Sequence, residues 1–184
     1  MKVYHGTTLS RAEEIDKAKK IIINAKSIYG ADFIFPTTPG YIYLAINPAI
    51  AFYYGNKHSV HYSKPEEKYY VVYEIEIEKD KLSKDEDELY YVAGISKDRI
   101  KKMNLAEAIE KVGTCRVNFN LDFKKYVRKK IKLPTTNNFE EDNEKGYELT
   151  NEMIKLKNKK TQEVLSEYLK ELIDRYAYEW ENIE

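Results

Sequence analysis

The order of apolar and polar positions along the first hundred residues predicts short strands separated by helices. Runs rich in β-branched and aromatic residues give the predicted strands, Lys2–Tyr4, Tyr41–Ala45, Tyr69–Ile77, Leu89–Val92 and Ile100–Met103. The second half of Tyr69–Ile77 alternates apolar and acidic residues, as a half-exposed strand does. Positions 24–40 carry turn residues with little periodicity, so we expect a loop there.

Capping residues indicate where helices begin and end. The predicted helices extend from Thr8 or Ser10 to about Lys20, from Asn47 to Gly55 and from Asn104 to Gly113. The second has an asparagine cap followed by Pro48 at its first helical position, and the third has a capping box of Asn104 and Glu107. Beyond them, residues 116–120 favour a strand, whereas residues 121–132 fit either a helix or a strand.

The last third of the chain is highly charged and has a helical pattern. Its apolar stripe recurs at steps of four, three, four and four residues, which predicts an amphipathic helix of about five turns. The stripe consists of Leu165, Leu169, Leu172, Tyr176 and Trp180. We expect it to pack on the chain's own domain rather than on a partner or a second copy. Residues 1–135 are therefore predicted to form the main domain, and residues 136–184 a helical extension packed on it.

Composition limits the classes of function. The chain has 184 residues, and its 31 acidic and 31 basic residues cancel, so any contact with nucleic acid requires a local patch. The densest basic segment contains Lys124, Lys125, Arg128, Lys129, Lys130 and Lys132. We expect acids such as Glu140 and Glu141 to neutralise it. No apolar run approaches the roughly 18 residues that cross a bilayer, and the N-terminus turns polar at once. We therefore expect a cytoplasmic protein with no membrane partner.

Common catalytic and cofactor motifs are missing from the sequence. The single cysteine, Cys115, excludes an intramolecular disulfide. The three histidines, His5, His58 and His61, are too scattered to predict a metal site. Neither glycine-rich phosphate loop motif occurs, nor does a G-x-S-x-G nucleophile motif.

Motifs that remain resemble those of one enzyme superfamily. VYHGT is a strand ending in His-Gly-Thr, and GYIYLAINPAIAFYY is an aliphatic-Tyr-aliphatic strand, a short loop and a tyrosine-ending helix. A later acidic residue precedes LYYVAGISKDRI, an aromatic run followed by spaced isoleucines. Over residues 2–103 this order resembles the ADP-ribosyltransferase superfamily, in the His-Tyr-Glu branch that includes the poly-ADP-ribose polymerases and related bacterial and phage enzymes.

The resemblance implies a fold and a set of site residues. The fold is α+β, with a split, mainly antiparallel sheet, flanking helices and a helical C-terminal segment. By position, His5 matches the triad histidine that hydrogen-bonds the ribose, and Gly6 matches the glycine whose backbone holds the nicotinamide carboxamide. Thr7 completes that motif as part of the cofactor-binding set. Tyr43 matches the triad tyrosine beneath the nicotinamide ring. Tyr53 matches the helix tyrosine on the other side of the ring if one loop residue is deleted, and Tyr54 matches it without a gap.

The triad glutamate has three candidates. The segment ELYYVAGISKDRIKKM resembles the family's glutamate strand, which assigns Glu88. Glu86 is the second choice, two residues earlier on the same face of an extended strand. Glu67, before the strand YYVVY, is the third.

The implied activity is NAD-dependent transfer of ADP-ribose, with NAD as co-substrate and residues 1–135 as the catalytic domain. Cleavage of the nicotinamide–ribose bond creates positive charge that a carboxylate stabilises, while tyrosine rings enclose the flat base. The acceptor would be a protein or a nucleic acid, and a toxin or a phage or defence effector is the expected setting. Two alternatives stay open: an NAD-using RNA 2′-phosphotransferase, for which Arg11 is the one basic residue near the histidine motif, and an inactive domain that binds a partner.

Overall fold

The structure is a computed structural model that describes residues 1–23, 37–62, 66–138, 140, 143–156 and 162–183, without the side chains of Tyr62 and residues 162–166. Its helices are α1 (Leu9–Ala18), α2 (Pro48–Lys57), α3 (Lys97–Lys102), α4 (Leu105–Val112), α5 (Phe123–Tyr126), α6 (Glu144–Leu156) and α7 (Gln162–Arg175). Its strands are β1 (Lys2–Thr8), β2 (Lys20–Ile21), β3 (Ile42–Ala45), β4 (Tyr69–Glu76), β5 (Ser83–Lys84), β6 (Thr114–Val117), β7 (Leu121–Asp122), β8 (Val127–Pro134) and β9 (Glu181–Asn182). Two π-helical turns occupy His58–Tyr62 and Glu88–Val92. Most of the predicted loop at 24–40 lies outside the described residues.

An antiparallel sheet organises the molecule. Its strand order is β5-β6-β3-β1-β4-β8-β9, and every neighbouring pair runs antiparallel. Strands β2 and β7 form a separate small sheet. Helices flank the large sheet, so the predicted α+β class with a mainly antiparallel sheet is confirmed.

The pairing within this sheet is uneven at its centre. Strand β1 pairs with β4 along its whole length, from Lys2 opposite Glu76 to Thr8 opposite Tyr70. Towards β3, the register among the described residues contains the single pair Tyr4 and Ala45, which we call the β1–β3 junction. Beyond the junction β3 continues to pair with β6, so β1 and β3 diverge where the HGT motif lies.

Both faces of the large sheet are covered. Alternate residues of β4 project to opposite faces: Val71, Tyr73 and Ile75 enter one apolar cluster, and Tyr70 and Val72 enter another. The half-exposed strand predicted at Tyr69–Ile77 is therefore corrected to a central, buried one. Even Glu74 is only 8% exposed, and it forms an ion pair with Lys2.

Two predicted strands are helical in the structure. Residues 89–92 belong to the turn Glu88–Val92, because the Glu88 N–H donates to the Asp85 carboxylate at 3.0 Å and begins a helical turn. Residues 100–103 fall largely in α3. Leu89 and Ile100 enter a small apolar cluster with Ala108, and Met103 packs against it.

The C-terminal helices pack on α2 and the adjoining sheet face. Leu149 and Met153 of α6, with Leu169 and Leu172 of α7, enter the same apolar cluster as Phe52. The predicted five-turn helix ends early, because Ala177 takes a left-handed conformation with φ of 56° after Arg175. None of the helices in the described ranges combines the length and the apolar character that a bilayer-spanning segment requires.

Candidate active site

A cavity of about 480 Å³ opens where β1 and β3 diverge. Its walls come from β1, α1, β3, α2, and the segment that contains the turn Glu88–Val92. The predicted site residues that line it are His5, Gly6, Thr7, Tyr43 and Glu88, together with the alternative Tyr54. The structure thus brings together residues that are separated by more than eighty positions in the sequence.

His5 is held across the gap between the two strands. Its Nδ1 lies 3.0 Å from the Tyr43 carbonyl oxygen. A carbonyl only accepts, so Nδ1 carries the hydrogen and Nε2 retains a lone pair. Burial lowers the pKa of His5 to about 4, against the opposing effect of the Tyr43 hydrogen bond. The neutral imidazole therefore offers Nε2 as an acceptor for a hydroxyl at physiological pH.

Gly6 permits β1 and α2 to approach each other closely. A Cβ added at Gly6 would lie 1.9 Å from the Ala51 carbonyl oxygen, and one added at Gly55 would lie 3.4 Å from the Gly6 Cα. Any side chain at position 6 would push the strand and the helix apart. Thr7 beside it is buried, and Thr8 caps α1 by accepting from the Arg11 N–H at 3.4 Å.

Tyr43 lies on β3 with its hydroxyl in a polar network. The hydroxyl donates to Asp87 and lies 3.0 Å from the Thr38 carbonyl. The Thr38 N–H and hydroxyl also donate to Asp87, at 2.7 and 2.8 Å. Burial and the bond to Asp87 raise the pKa of Tyr43 well above its ordinary value, so the phenol stays protonated.

Tyr54, rather than Tyr53, lines the cavity. Its hydroxyl donates to both carboxylate oxygens of Glu88, at 2.7 and 2.8 Å. Its ring lies edge-on to His58, with the ring centroids 6.1 Å apart. The Tyr53 ring packs against the Tyr54 ring, with Lys57 5.5 Å from its centroid. The alignment that deletes one loop residue therefore selects the tyrosine that does not line the cavity, because consecutive helical residues point about 100° apart.

The three candidate glutamates lie in different surroundings. Glu88 is half-buried and lines the cavity. Glu86 forms an ion pair with Arg116 at 3.1 Å and does not line the cavity. Glu67 accepts from the Ser10 N–H and hydroxyl, at 2.9 and 2.6 Å, at the start of α1. Of the three, only Glu88 faces the space that His5 and Tyr43 line.

Two further acids line the cavity that the sequence did not single out. Asp85 and Asp87 fall in a charged run that reads as a solvated turn, yet Asp85 is only 3% exposed. Burial raises the pKa of Asp85 to about 7, and the Glu88 N–H bond opposes that rise. A helical interpretation of this run would have placed Asp85 beside Glu88, since residues three apart share one helix face.

Basic groups line the cavity as well. Arg11 and Lys20 come from α1 and β2, and Lys57 lies at the end of α2. His58 follows Lys57, and burial together with the charges of His5, Lys57 and Arg11 lowers its pKa to about 3. A ligand with both anionic and hydroxyl groups would find complementary partners here.

Two of the six cations in the predicted basic segment form ion pairs among the described residues. Arg128 donates to Glu76 at 3.1 Å, and Lys130 pairs with Asp16 at 2.8 Å and with Glu181 at 3.4 Å. The acids differ from those expected: Glu140 pairs with Lys68, and residue 141 lies outside the described residues. Neutralisation of the segment is therefore only partial, because Lys124, Lys125, Lys129 and Lys132 form no ion pair with the described residues.

Thiol and metal chemistry have little support among the described residues. Cys115 is buried in β6, and burial raises its pKa to about 12, which keeps the thiol protonated. Within the described ranges, histidine, cysteine, aspartate and glutamate side chains nowhere form a group of three that could hold a metal ion.

Comparison with known proteins adds no family to this geometry. No protein-family model, curated protein or solved structure matches the chain. Support for a function therefore comes from the chemistry of the cavity and from the resemblance of the motifs that line it. His5, Tyr43 and Glu88, the three residues that the motif order singles out, line that one cavity.

Proposed function

We propose that this chain is an NAD-dependent ADP-ribosyltransferase of the His-Tyr-Glu type, with the split sheet of that family. The observation that carries the proposal is the convergence of His5, Tyr43, Tyr54 and Glu88 on one cavity. Their order along the chain is the order of the family's motifs. The divergence of β1 and β3 beyond the junction supports the split form of the sheet.

Each side chain has a role that its geometry suits. His5 accepts a hydrogen bond from a ribose hydroxyl through Nε2, because its Nδ1–H is engaged by the Tyr43 carbonyl. The rings of Tyr43 and Tyr54 enclose the nicotinamide, since aromatic faces bury a flat base at low entropic cost. Glu88 holds the 2′-hydroxyl and stabilises the positive charge that develops on the ribose.

The reaction needs no metal and no redox change. The bond between nicotinamide nitrogen and ribose C1′ breaks, and nicotinamide leaves with the bonding electron pair. A nucleophile of the acceptor then bonds C1′ and loses its proton. The cations Arg11, Lys20 and Lys57 line the same cavity, which suits the diphosphate of NAD.

These cations also favour a second candidate, the NAD-using RNA 2′-phosphotransferase. That activity needs basic groups near the histidine, and Lys20 and Lys57 join Arg11 around the cavity. NAD-dependent loss of the 2′-phosphate from a phosphorylated RNA, with release of nicotinamide and recovery of the phosphate on the ADP-ribose product, would support it over ADP-ribosylation of a protein or nucleic acid.

The decisive experiment incubates the purified chain with NAD labelled in the adenylate and with cell lysate. Protease and nuclease treatments then identify the class of acceptor, and nicotinamide release measures bond cleavage. Glu88→Gln is expected to lower nicotinamide release at least about 100-fold, since it removes a transition-state stabiliser.

Glu86→Gln is the matched control, because Glu86 pairs with Arg116 away from the cavity. It should retain most of the activity. Loss of activity in Glu86→Gln but not in Glu88→Gln would move the triad acid by two residues. Absence of any NAD cleavage by the wild-type chain would refute the proposed function.

A further inference from the structure

Glu88 and the helix tyrosine Tyr54 are joined in a way that the motif resemblance does not imply. We infer that the Tyr54 hydroxyl is a positioning group that holds the Glu88 carboxylate in place for cleavage of the nicotinamide–ribose bond. The inference rests on the proposed function and deepens it. It gives Tyr54 a role through its hydroxyl that is separate from the role of its ring.

The Tyr54 hydroxyl contacts the two carboxylate oxygens of Glu88 almost equally. The Tyr54 oxygen lies 2.7 Å from one carboxylate oxygen of Glu88 and 2.8 Å from the other, so the hydroxyl faces the middle of the carboxylate. No other side chain in the described parts of the chain donates a hydrogen bond to that carboxylate. A carboxylate has about four lone-pair sites, so one phenol leaves acceptor capacity for a ribose hydroxyl.

Glu88 needs such support because of where it lies. It begins the π-helical turn Glu88–Val92, which exposes Tyr90 by 40% and Val92 by 56%. Its backbone is fixed by the N–H bond to Asp85, but its side chain has three rotatable bonds of its own. An unrestrained carboxylate would visit several rotamers, and catalysis by an oriented charge loses rate when the charge moves by about an ångström.

Tyr54 is itself rigidly placed, which makes it a suitable anchor. It lies on α2 between Ala51 and Gly55, the residues that pack directly against Gly6 of β1. The β1–α2 contact therefore helps to fix the position of Tyr54 relative to His5, which lines the same cavity. Tyr54 therefore fixes the position of the Glu88 carboxylate relative to the His5 imidazole, which binds the same ribose in the proposed function.

Tyr43, another tyrosine that lines the cavity, does not duplicate this role. The Tyr43 hydroxyl donates to Asp87 and contacts the Thr38 carbonyl. Tyr43 thus serves a different acid from Tyr54, whose hydroxyl bonds the carboxylate that faces the ribose in the proposed function.

The test separates the ring of Tyr54 from its hydroxyl. In Tyr54→Phe the ring face is retained, so KM for NAD should change by less than about threefold. Its kcat for nicotinamide release should fall about 10- to 100-fold, the range expected for loss of a hydrogen bond to a charged group. Tyr53→Phe, the same change at the neighbouring residue that does not line the cavity, should leave both constants near wild type. Thermal unfolding of each variant checks that the fold is intact.

A double-mutant cycle adds a readout that a structural role would not produce. If Tyr54 acts through the carboxylate, Tyr54→Phe should have almost no further effect on kcat in a Glu88→Gln background. A full additional loss in that background would overturn the inference, as would an unchanged kcat in Tyr54→Phe alone. A raised KM with unchanged kcat would also overturn it, because the hydroxyl would then serve binding.

Failure of this inference and failure of the proposed function give different results. A wild-type chain that cleaves NAD, together with an unimpaired Tyr54→Phe, rejects the positioning role alone. A wild-type chain that cleaves no NAD rejects both.

Discussion

Several side chains of the cavity, His5 and Asp85 among them, have pKa values displaced towards their neutral forms. Burial lowers the pKa of His5 to about 4 and raises that of Asp85 to about 7. At neutral pH the imidazole is therefore uncharged and Asp85 is near its midpoint. Glu88 and Asp87, which line the same cavity, each accept a hydrogen bond from a tyrosine hydroxyl.

The displaced pKa of Asp85 predicts a pH-dependent gain in stability for Asp85→Asn. An unfolded aspartate titrates near about 3.9, so the folded chain binds more protons between pH 4 and 7. The favourable contribution of the neutral carboxyl is therefore complete at low pH and is lost as the pH rises through about 7.

Asparagine avoids the charge and keeps an oxygen that can accept the Glu88 N–H. The variant should exceed the wild-type free energy of unfolding by about 1 kcal/mol or more at pH 8, since one pKa unit corresponds to about 1.4 kcal/mol. At pH 4.5 the gain should nearly vanish. Urea unfolding at both pH values measures it, and an identical difference at the two would contradict the assignment of burial as the cause.

The contact between β1 and α2 is the element-scale feature on which the site depends. It places His5 and Tyr54 on two backbones that touch at Gly6 and Ala51. Glycine is required at position 6 because a side chain there would clash with the α2 backbone. A stability measurement therefore isolates the steric effect of a substitution at Gly6 from any effect on the proposed activity.

Gly6→Ala is expected to destabilise the chain by about 3 kcal/mol or more, the upper end of overpacking costs, because the clash is with backbone atoms. Gly94→Ala is the control: its added Cβ would meet nothing within 4 Å, although its φ of 67° carries strain of about 1–2 kcal/mol. Chemical unfolding compares the two. Equal losses would show that space at Gly6 is not limiting.

Local signals in the sequence predict the elements whose ends carry caps. Helices α2 and α4 begin at Asn47 and Asn104, as expected, because each asparagine side chain accepts a hydrogen bond from the first turn. The turn at Glu88 was not predictable in this way. Its conformation depends on the burial of Leu89 against Ile100 and Ala108, which only the assembled fold provides.

Some residues of the candidate site were predictable from the sequence, and others were not. The motif order points to His5 and Tyr43, whereas it leaves the acid open among Glu88, Glu86 and Glu67, of which only Glu88 lines the cavity. The motif order does not decide between Tyr53 and Tyr54, because both suit the end of a helix and only the direction of the side chain separates them. Asp85 and Asp87 were read as a solvated turn, since nothing local indicates that α4 and β6 bury the segment.

At the scale of the whole molecule, the C-terminal helices complete the core behind the cavity. Leu149 and Met153 are fully buried in the cluster that contains Phe52 and Tyr70. Trp180 lies with its ring 6.3 Å from Tyr4 and 6.4 Å from Phe52, centroid to centroid. The helix that presents Tyr54 to the cavity thus has its opposite face covered by the C-terminal third.

Leu149→Ala is therefore expected to cost about 2–5 kcal/mol of stability, and Glu148→Ala at the exposed neighbouring position less than about 0.5 kcal/mol. Trp180 is the single tryptophan, so its fluorescence reports on docking of the C-terminal segment. Its unfolding transition should coincide with that of the circular dichroism signal. A fluorescence transition at lower denaturant would show that the C-terminal segment detaches as a separate unit.

The junction of β1 and β3 has one more consequence, for the energetics of ligand entry. A planar molecule that slides between two fully paired strands must first break their ladder, and each lost backbone bond opposes binding. Here the ladder already stops at the pair Tyr4 and Ala45, and the imidazole of His5 spans the gap. An occupant of the gap would therefore displace solvent rather than interstrand hydrogen bonds, so association requires no local unfolding of the sheet.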